Sequence, residues 1–192
     1  MKSGTFLSNR KFSTILCLMF MVLLLFAGQS FAKKTAKEVD TSVDAAMERF
    51  HKQVKDAKEV VAKAKGLLIL PNVKKGALIV GGEYGQGALK IGGKTVDYYS
   101  MISGSFGLQI GGQAKDIIIA FNSSEALKKF RESKGWEAGV DGNVALIKMG
   151  AGESAVAAMA KQPIAAFVFD VKGLIADMSL KGAKFNKLDK TK

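Results

Sequence analysis

At 192 residues the chain is long enough for one domain with a well-buried core, and 29 Lys and Arg against 17 Asp and Glu give it a net charge of +12. A single histidine and a single cysteine leave nothing from which the residues would build a nucleophilic triad or a zinc site. The surplus is lysine, a point charge, whereas bidentate reading of bases and phosphates favours arginine; a nucleic-acid partner is therefore not expected.

The chain opens on a leader. Lys2, Arg10 and Lys11 precede an apolar run over residues 12–27, and Ser30-Phe31-Ala32 places small residues at −3 and −1 of a cleavage site. The run is shorter than the ~20 residues a membrane-spanning helix needs. A cleaved signal over residues 1–32 is the expectation, with an uncleaved anchor as the alternative. Cys17 follows Thr14-Ile15-Leu16, without the small residue that precedes a lipidated cysteine. Cleavage would leave 160 residues, no cysteine, and 26 basic against 17 acidic side chains, with Arg49 and Arg131 as the only arginines. The expected location is exported, in the periplasm or cell envelope and peripheral to the membrane. N-terminal sequencing of protein from the envelope fraction should begin at Lys33; a chain that still begins at Met1 would favour the anchor.

Residues 33–65 form an amphipathic helical segment. Val39, Val43, Met47, Phe50, Val54, Val61 and Ala64 recur three, four or seven apart, with Asp, Glu and Lys opposite, as one helix or two. The apolar stripe fits packing on the domain or lying on a membrane, and the mixed charge of the polar face favours packing.

From Gly66 short apolar runs alternate with turn residues, which predicts a dense antiparallel β-region. Within it, "GQGALKIGGKT" looks like a phosphate-binding loop. Yet Gly93 intervenes between Gly92 and Lys94, so the register is one residue out, and the β-branched and aromatic run after it opens no helix. The better reading is a hairpin: Ala88 to Ile91, a Gly92-Gly93 turn, then Lys94 to Tyr98. Gly104 and Gly107 suggest sharp bends and close sheet contact. "SSEALKKFRESKG" is the one helical interruption, capped by Ser123 or Ser124 and closed by Gly135. Strand-like runs resume, with Asp141-Gly142 marking a hairpin. The predicted fold is α+β and predominantly antiparallel β, a curved sandwich or barrel, with an N-terminal helical segment and one short internal helix. Residues 66–192 would form the β-rich domain.

The chemical inventory is thin. His51 lies in the helical segment without a nucleophile beside it, and no alternating aspartate ladder marks a calcium loop. Tyr84, Tyr98, Tyr99 and Trp136 are of the type that stacks on bases or sugars but read as core or rim. No catalysis, cofactor or metal is expected.

"AKGLLILP", "GGEYGQGAL", "YYSMISGSFGLQIGGQAKDIIIAF", "GWEAGVDGNVAL" and "KGLIADMSLKGAKF", in this order, resemble the SYLF-domain family of lipid-binding proteins. That family is also described as an actin-regulator domain in fungi. The likeness runs from about Ala64 to Leu188. With the leader and without an appended SH3 or zinc-finger module, the chain resembles the bacterial exported branch. The resemblance implies a β-rich fold, affinity for anionic phospholipid and no catalysis. Asp177 and Lys181 depart from the small and acidic residues usual at their positions.

The expected function is a non-catalytic phospholipid-binding module of the cell envelope. The candidate contacts are Lys63, Lys65, Lys74 and Lys75, which a turn at Pro71-Asn72 would bring together, and Lys181. The alternative is a structural or partner-binding envelope protein with no specific lipid ligand, so a protein partner stays open.

Overall fold

A computed structural model describes residues 34–75, 81–105, 113–147, 154–173 and 179–190. The leader, residues 1–32 with the expected cleavage site, lies outside them. So do Gly107, Asp177 and parts of the quoted motifs.

Two helices open the described fold, α1 over Ala36–Gln53 and α2 over Ala57–Lys63. Thr35 caps α1 in a capping box with Glu38, which fixes the start. Asp56, in the left-handed region at φ 64°, breaks the two apart. The predicted stripe is buried as drawn: Val39, Val43, Phe50 and Val54 are core residues, and Met47, Val61 and Ala64 pack against them. Ala36, Ala46, Ala57 and Val60 complete the face. The segment thus packs on the sheet, and Thr35–Lys192 forms one compact unit with the helices included.

Eight strands follow: β1 Gly66–Lys75, β2 Gly81–Ile91, β3 Lys94–Ser105, β4 Gln113–Phe121, β5 Trp136–Glu137, β6 Ala145–Ile147, β7 Ile164–Lys172 and β8 Lys184–Leu188. They form one sheet in the order β5-β8-β3-β2-β1-β4-β7-β6, antiparallel except where β6 lies parallel to β7. The sheet curls into a half-barrel, as the predicted class required. On one side the edge strand β5 approaches β7, the neighbour of the other edge, since Gly142, in the link from β5 to β6, sits against both Trp136 and Ile164. Two further helices complete the fold, α3 over Ser124–Glu132 and α4 over Ala155–Ala160. The convex face lies under α1, α2 and α4, with Leu67, Ile69, Ile118 and Phe167 in its core. The concave face holds Leu68, Leu70, Ile117, Ile119 and an aromatic cluster centred on Phe130. Phe130 lies 4.7 Å from Tyr99, 4.8 Å from Phe121 and 5.4 Å from Trp136. Tyr98, Tyr99 and Trp136 are therefore core side chains.

The hairpin reading holds. Ile91 pairs with Lys94, and Gly92 and Gly93 take φ of 57° and 78°, the left-handed values a two-residue turn of this kind needs. Ser123 caps α3 by accepting from Ala126 N.

Three local readings need correction. There is a second internal helix, α4, six residues long and alanine-rich, whose Ala155, Val156 and Met159 reach the core. Asp141 and Gly142 do lie at a turn, with Asp141 accepting from Glu137 N at 2.7 Å, but it joins no hairpin. The strands on either side travel to opposite edges of the sheet, β5 to β8 and β6 to β7. Gly104 meets nothing within 4 Å, so it makes no close sheet contact. Gly87 does, through the backbone of β1.

Candidate functional site

Pro71 and Asn72 do not turn the chain. They sit within β1, which stays paired with β4 beyond them and shifts register between Leu70 and Val73. Proline has no N–H to give the ladder and asparagine tolerates the left-handed region, so the pair forms a bulge rather than a reversal. Asn72, at φ 49°, donates its N–H to Asp116 Oδ1 at 2.8 Å. Asp116 is buried and its other oxygen takes Arg49 of α1 at 2.7 and 2.8 Å. The long-range carboxylate holds the bulge open as strand.

That geometry splits the candidate lysines. Lys63 and Lys65 stand at one end of β1 and Lys74 and Lys75 at the other, roughly 30 Å apart at the usual strand rise. Lys181 joins the second pair. Gly182 donates to Ala138 O at 2.8 Å and Ala138 to Ala183 O at 2.9 Å, which ties the 180–183 turn to the chain after β5. Reading across the sheet, Lys172, Ala114, Lys74, Tyr84, Ile102 and Lys184 lie in one row. The row spans five strand spacings, about 24 Å along the curve. The rim so formed carries Lys74, Lys75, Lys172, Lys181 and Lys184. Lys172 leans on Asp170 and Lys184 on Glu137, both at 3.4 Å, with the two lysines still largely exposed. Lys74, Lys75 and Lys181 have no ion pair among the described residues, and neither do Lys63 and Lys65.

Below the rim, on the concave face, lies a pair the sequence reading missed. Lys115 Nζ donates to Glu83 Oε1 at 2.9 Å, with both side chains over nine-tenths buried. The second oxygen of Glu83 is buried without a hydrogen-bond partner. Alternation carries the signal: Lys115 shares a face with Ile117, Ile119 and Phe121, and Glu83 shares one with Leu89.

At the opposite end of the sheet Asp97 is also buried and accepts from Arg131 Nε at 2.8 Å and Lys187 Nζ at 2.6 Å. Burial pushes the Tyr99 phenol up to about 12, with the Asp97 charge adding to the shift and Arg131 opposing it. Burial likewise raises Tyr98 to about 12, helped by its hydrogen bond to Asp40. Both phenols stay protonated at neutral pH, so neither serves as a base there. His51 is exposed in the last turn of α1. Among the described residues no three His, Cys, Asp or Glu side chains gather as a metal site, and no helix is long and apolar enough to cross a membrane.

Residues 102–191 match the family model described as Ysc84, a Las17-binding protein and actin regulator. The match begins within β3 and runs to the C-terminus, so it takes in Lys115, Lys172, Lys181 and Lys184 but not Lys63, Lys65, Lys74 or Lys75. No curated protein matches the chain.

Proposed function

We propose, from the match of residues 102–191 to the Ysc84 family model of SYLF domains, that this protein is a non-catalytic module that docks on anionic phospholipid at the surface of an envelope membrane. The family description speaks of a binding protein and regulator. The observation that carries the lipid reading is the rim: strand register draws Lys172, Lys74 and Lys184 into one row with Lys75 and Lys181 near it, and Lys74, Lys75 and Lys181 have no ion pair among the described residues. A row of point charges on flexible stems suits a diffuse layer of headgroups better than a single ligand. Lys63 and Lys65, at the other end of the sheet, cannot share that contact.

The test is co-sedimentation with vesicles of phosphatidylglycerol and phosphatidylcholine at low and physiological salt. Each lysine near an anionic surface contributes about 1 kcal/mol, so Lys74/Lys75/Lys181→Ala should weaken binding on the order of 100-fold. Lys63/Lys65→Ala should leave it nearly unchanged, and purely zwitterionic vesicles should not bind. Added salt should weaken the wild type, because exposed charges are screened. Equal loss in both variants would move the contact off the rim. Absence of binding at any salt would remove the lipid reading and leave a partner-binding envelope protein.

A further inference from the structure

The end of the sheet away from the rim carries a second basic feature, built differently. Between α3 and β8 lies a groove of about 400 Å³ lined by Ser124, Leu127, Lys128, Arg131, Glu132 and Lys187. Leu127 supplies its apolar wall and packs on Gly66, where an added Cβ would stand 3.0 Å from Leu127 Cδ1. Three of the lining side chains are cations and one is an acid.

Two of the three cations are held in place. Asp97 is nine-tenths buried and pins both Arg131, through Nε, and Lys187. One carboxylate between two cations leaves a net positive charge. Because Arg131 spends only Nε on Asp97, its terminal nitrogens have no protein partner among the described residues. A guanidinium fork fixed in this way presents two parallel N–H donors, the geometry that grips a carboxylate. Lys128 is well exposed beside it and reaches Glu132 only at 3.9 Å. Toward α2, the backbone N–H of Lys65 bonds to Phe121 O just before α3.

We propose that this groove docks an acidic peptide segment of another protein, with a carboxylate on the Arg131 fork, Lys128 and Lys187 flanking it, and a neighbouring apolar side chain against Leu127. Charge complementarity selects an acidic partner. The concave shape, with room for a few side chains, and the leucine wall select a peptide over a flat membrane or a free inorganic anion. The lysine rim faces the other end of the sheet, so the two contacts are compatible in one molecule.

The test uses the full chain and a fluorescein-labelled Glu-Glu-Leu-Glu-Glu peptide, read by anisotropy at physiological salt. Binding should be at least tenfold tighter than for the Gln-Gln-Leu-Gln-Gln counterpart. Lys128→Glu should weaken it about tenfold or more without changing the circular dichroism or the melting temperature, since Lys128 touches neither Asp97 nor the core. Arg131→Lys keeps the charge beside Asp97 but loses the fork, and should also weaken binding about tenfold. Lys74/Lys75/Lys181→Ala should bind the peptide as wild type does, which separates this site from the lipid reading whatever the vesicles show. Equal affinity for the two peptides, or unchanged affinity in Lys128→Glu, would overturn the proposal. Full displacement by equimolar inorganic phosphate would overturn it too, in favour of a small-anion site.

Discussion

Replacing Lys115 by alanine is expected to destabilise the fold by about 3–5 kcal/mol, measured by urea unfolding at neutral pH. The substitution leaves Glu83 as a carboxylate that is 7% exposed, with one oxygen newly unpartnered and the other unpartnered already. A buried charge without a counter-ion costs far more than the pair contributes when intact, because both ions have been taken out of water. Set against a domain stability of about 5–15 kcal/mol, such a loss threatens folding itself. The decisive comparison is the double variant Lys115→Met/Glu83→Leu, which removes both charges and keeps the volume apolar. It should recover most of the loss, since exchanging a whole buried ion pair for well-packed apolar side chains is often neutral or better. A Lys115→Ala loss below about 1 kcal/mol would mean that Glu83 finds water or another donor.

The contrast between the pair and the lysine candidates marks where the sequence could be read and where it could not. Signals confined to a few neighbours were legible. The apolar stripe of residues 33–65, the Ser123 cap and the Gly92-Gly93 turn each depend on local chemistry, and each stands in the fold as read. Signals that a distant residue overrides were not. Pro71-Asn72 has turn chemistry, but Asp116, 44 residues away from Asn72, bonds its N–H and keeps the strand running. Lys63, Lys65, Lys74 and Lys75 look like one cluster because they fall within thirteen residues, yet a strand between them puts the two pairs at opposite ends of the sheet. Conversely, Lys172 and Lys184 reach the rim only through register across several strands, which no local pattern encodes. The order of β5 and β6 was hidden for the same reason, since each pairs with a strand far along the chain. Lys115 and Glu83 were visible in principle. Each is a charge standing at an inward position of a period-two pattern, and such a charge calls for a partner on the same face.

Alanine at position 87 is expected to be the most damaging glycine-to-alanine change among the described residues. Gly87 lies in β2, where the sheet curls tightly against β1, and an added Cβ would fall on the carbonyl oxygen of Ile69. It would also stand 2.8 Å from the Ile69 carbonyl carbon and 2.9 Å from Leu70 Cα. All three are backbone atoms of the neighbouring strand, so no side chain can swing aside. Relief would require β1 and β2 to part, and β1 sits near the middle of the sheet with β2 on one side and β4 on the other. Ordinary overpacking, which side-chain shifts can absorb, costs about 1–3 kcal/mol. Here the backbone must move, so the loss in urea unfolding should exceed about 3 kcal/mol, with insoluble expression as the extreme. Gly104 is the control. It lies in β3, an added Cβ there meets nothing within 4 Å, and Gly104→Ala should be neutral or stabilising by up to about 1 kcal/mol through the unfolded chain. If Gly87→Ala unfolds within about 1 kcal/mol of wild type, the two strands do not approach as closely as this geometry requires.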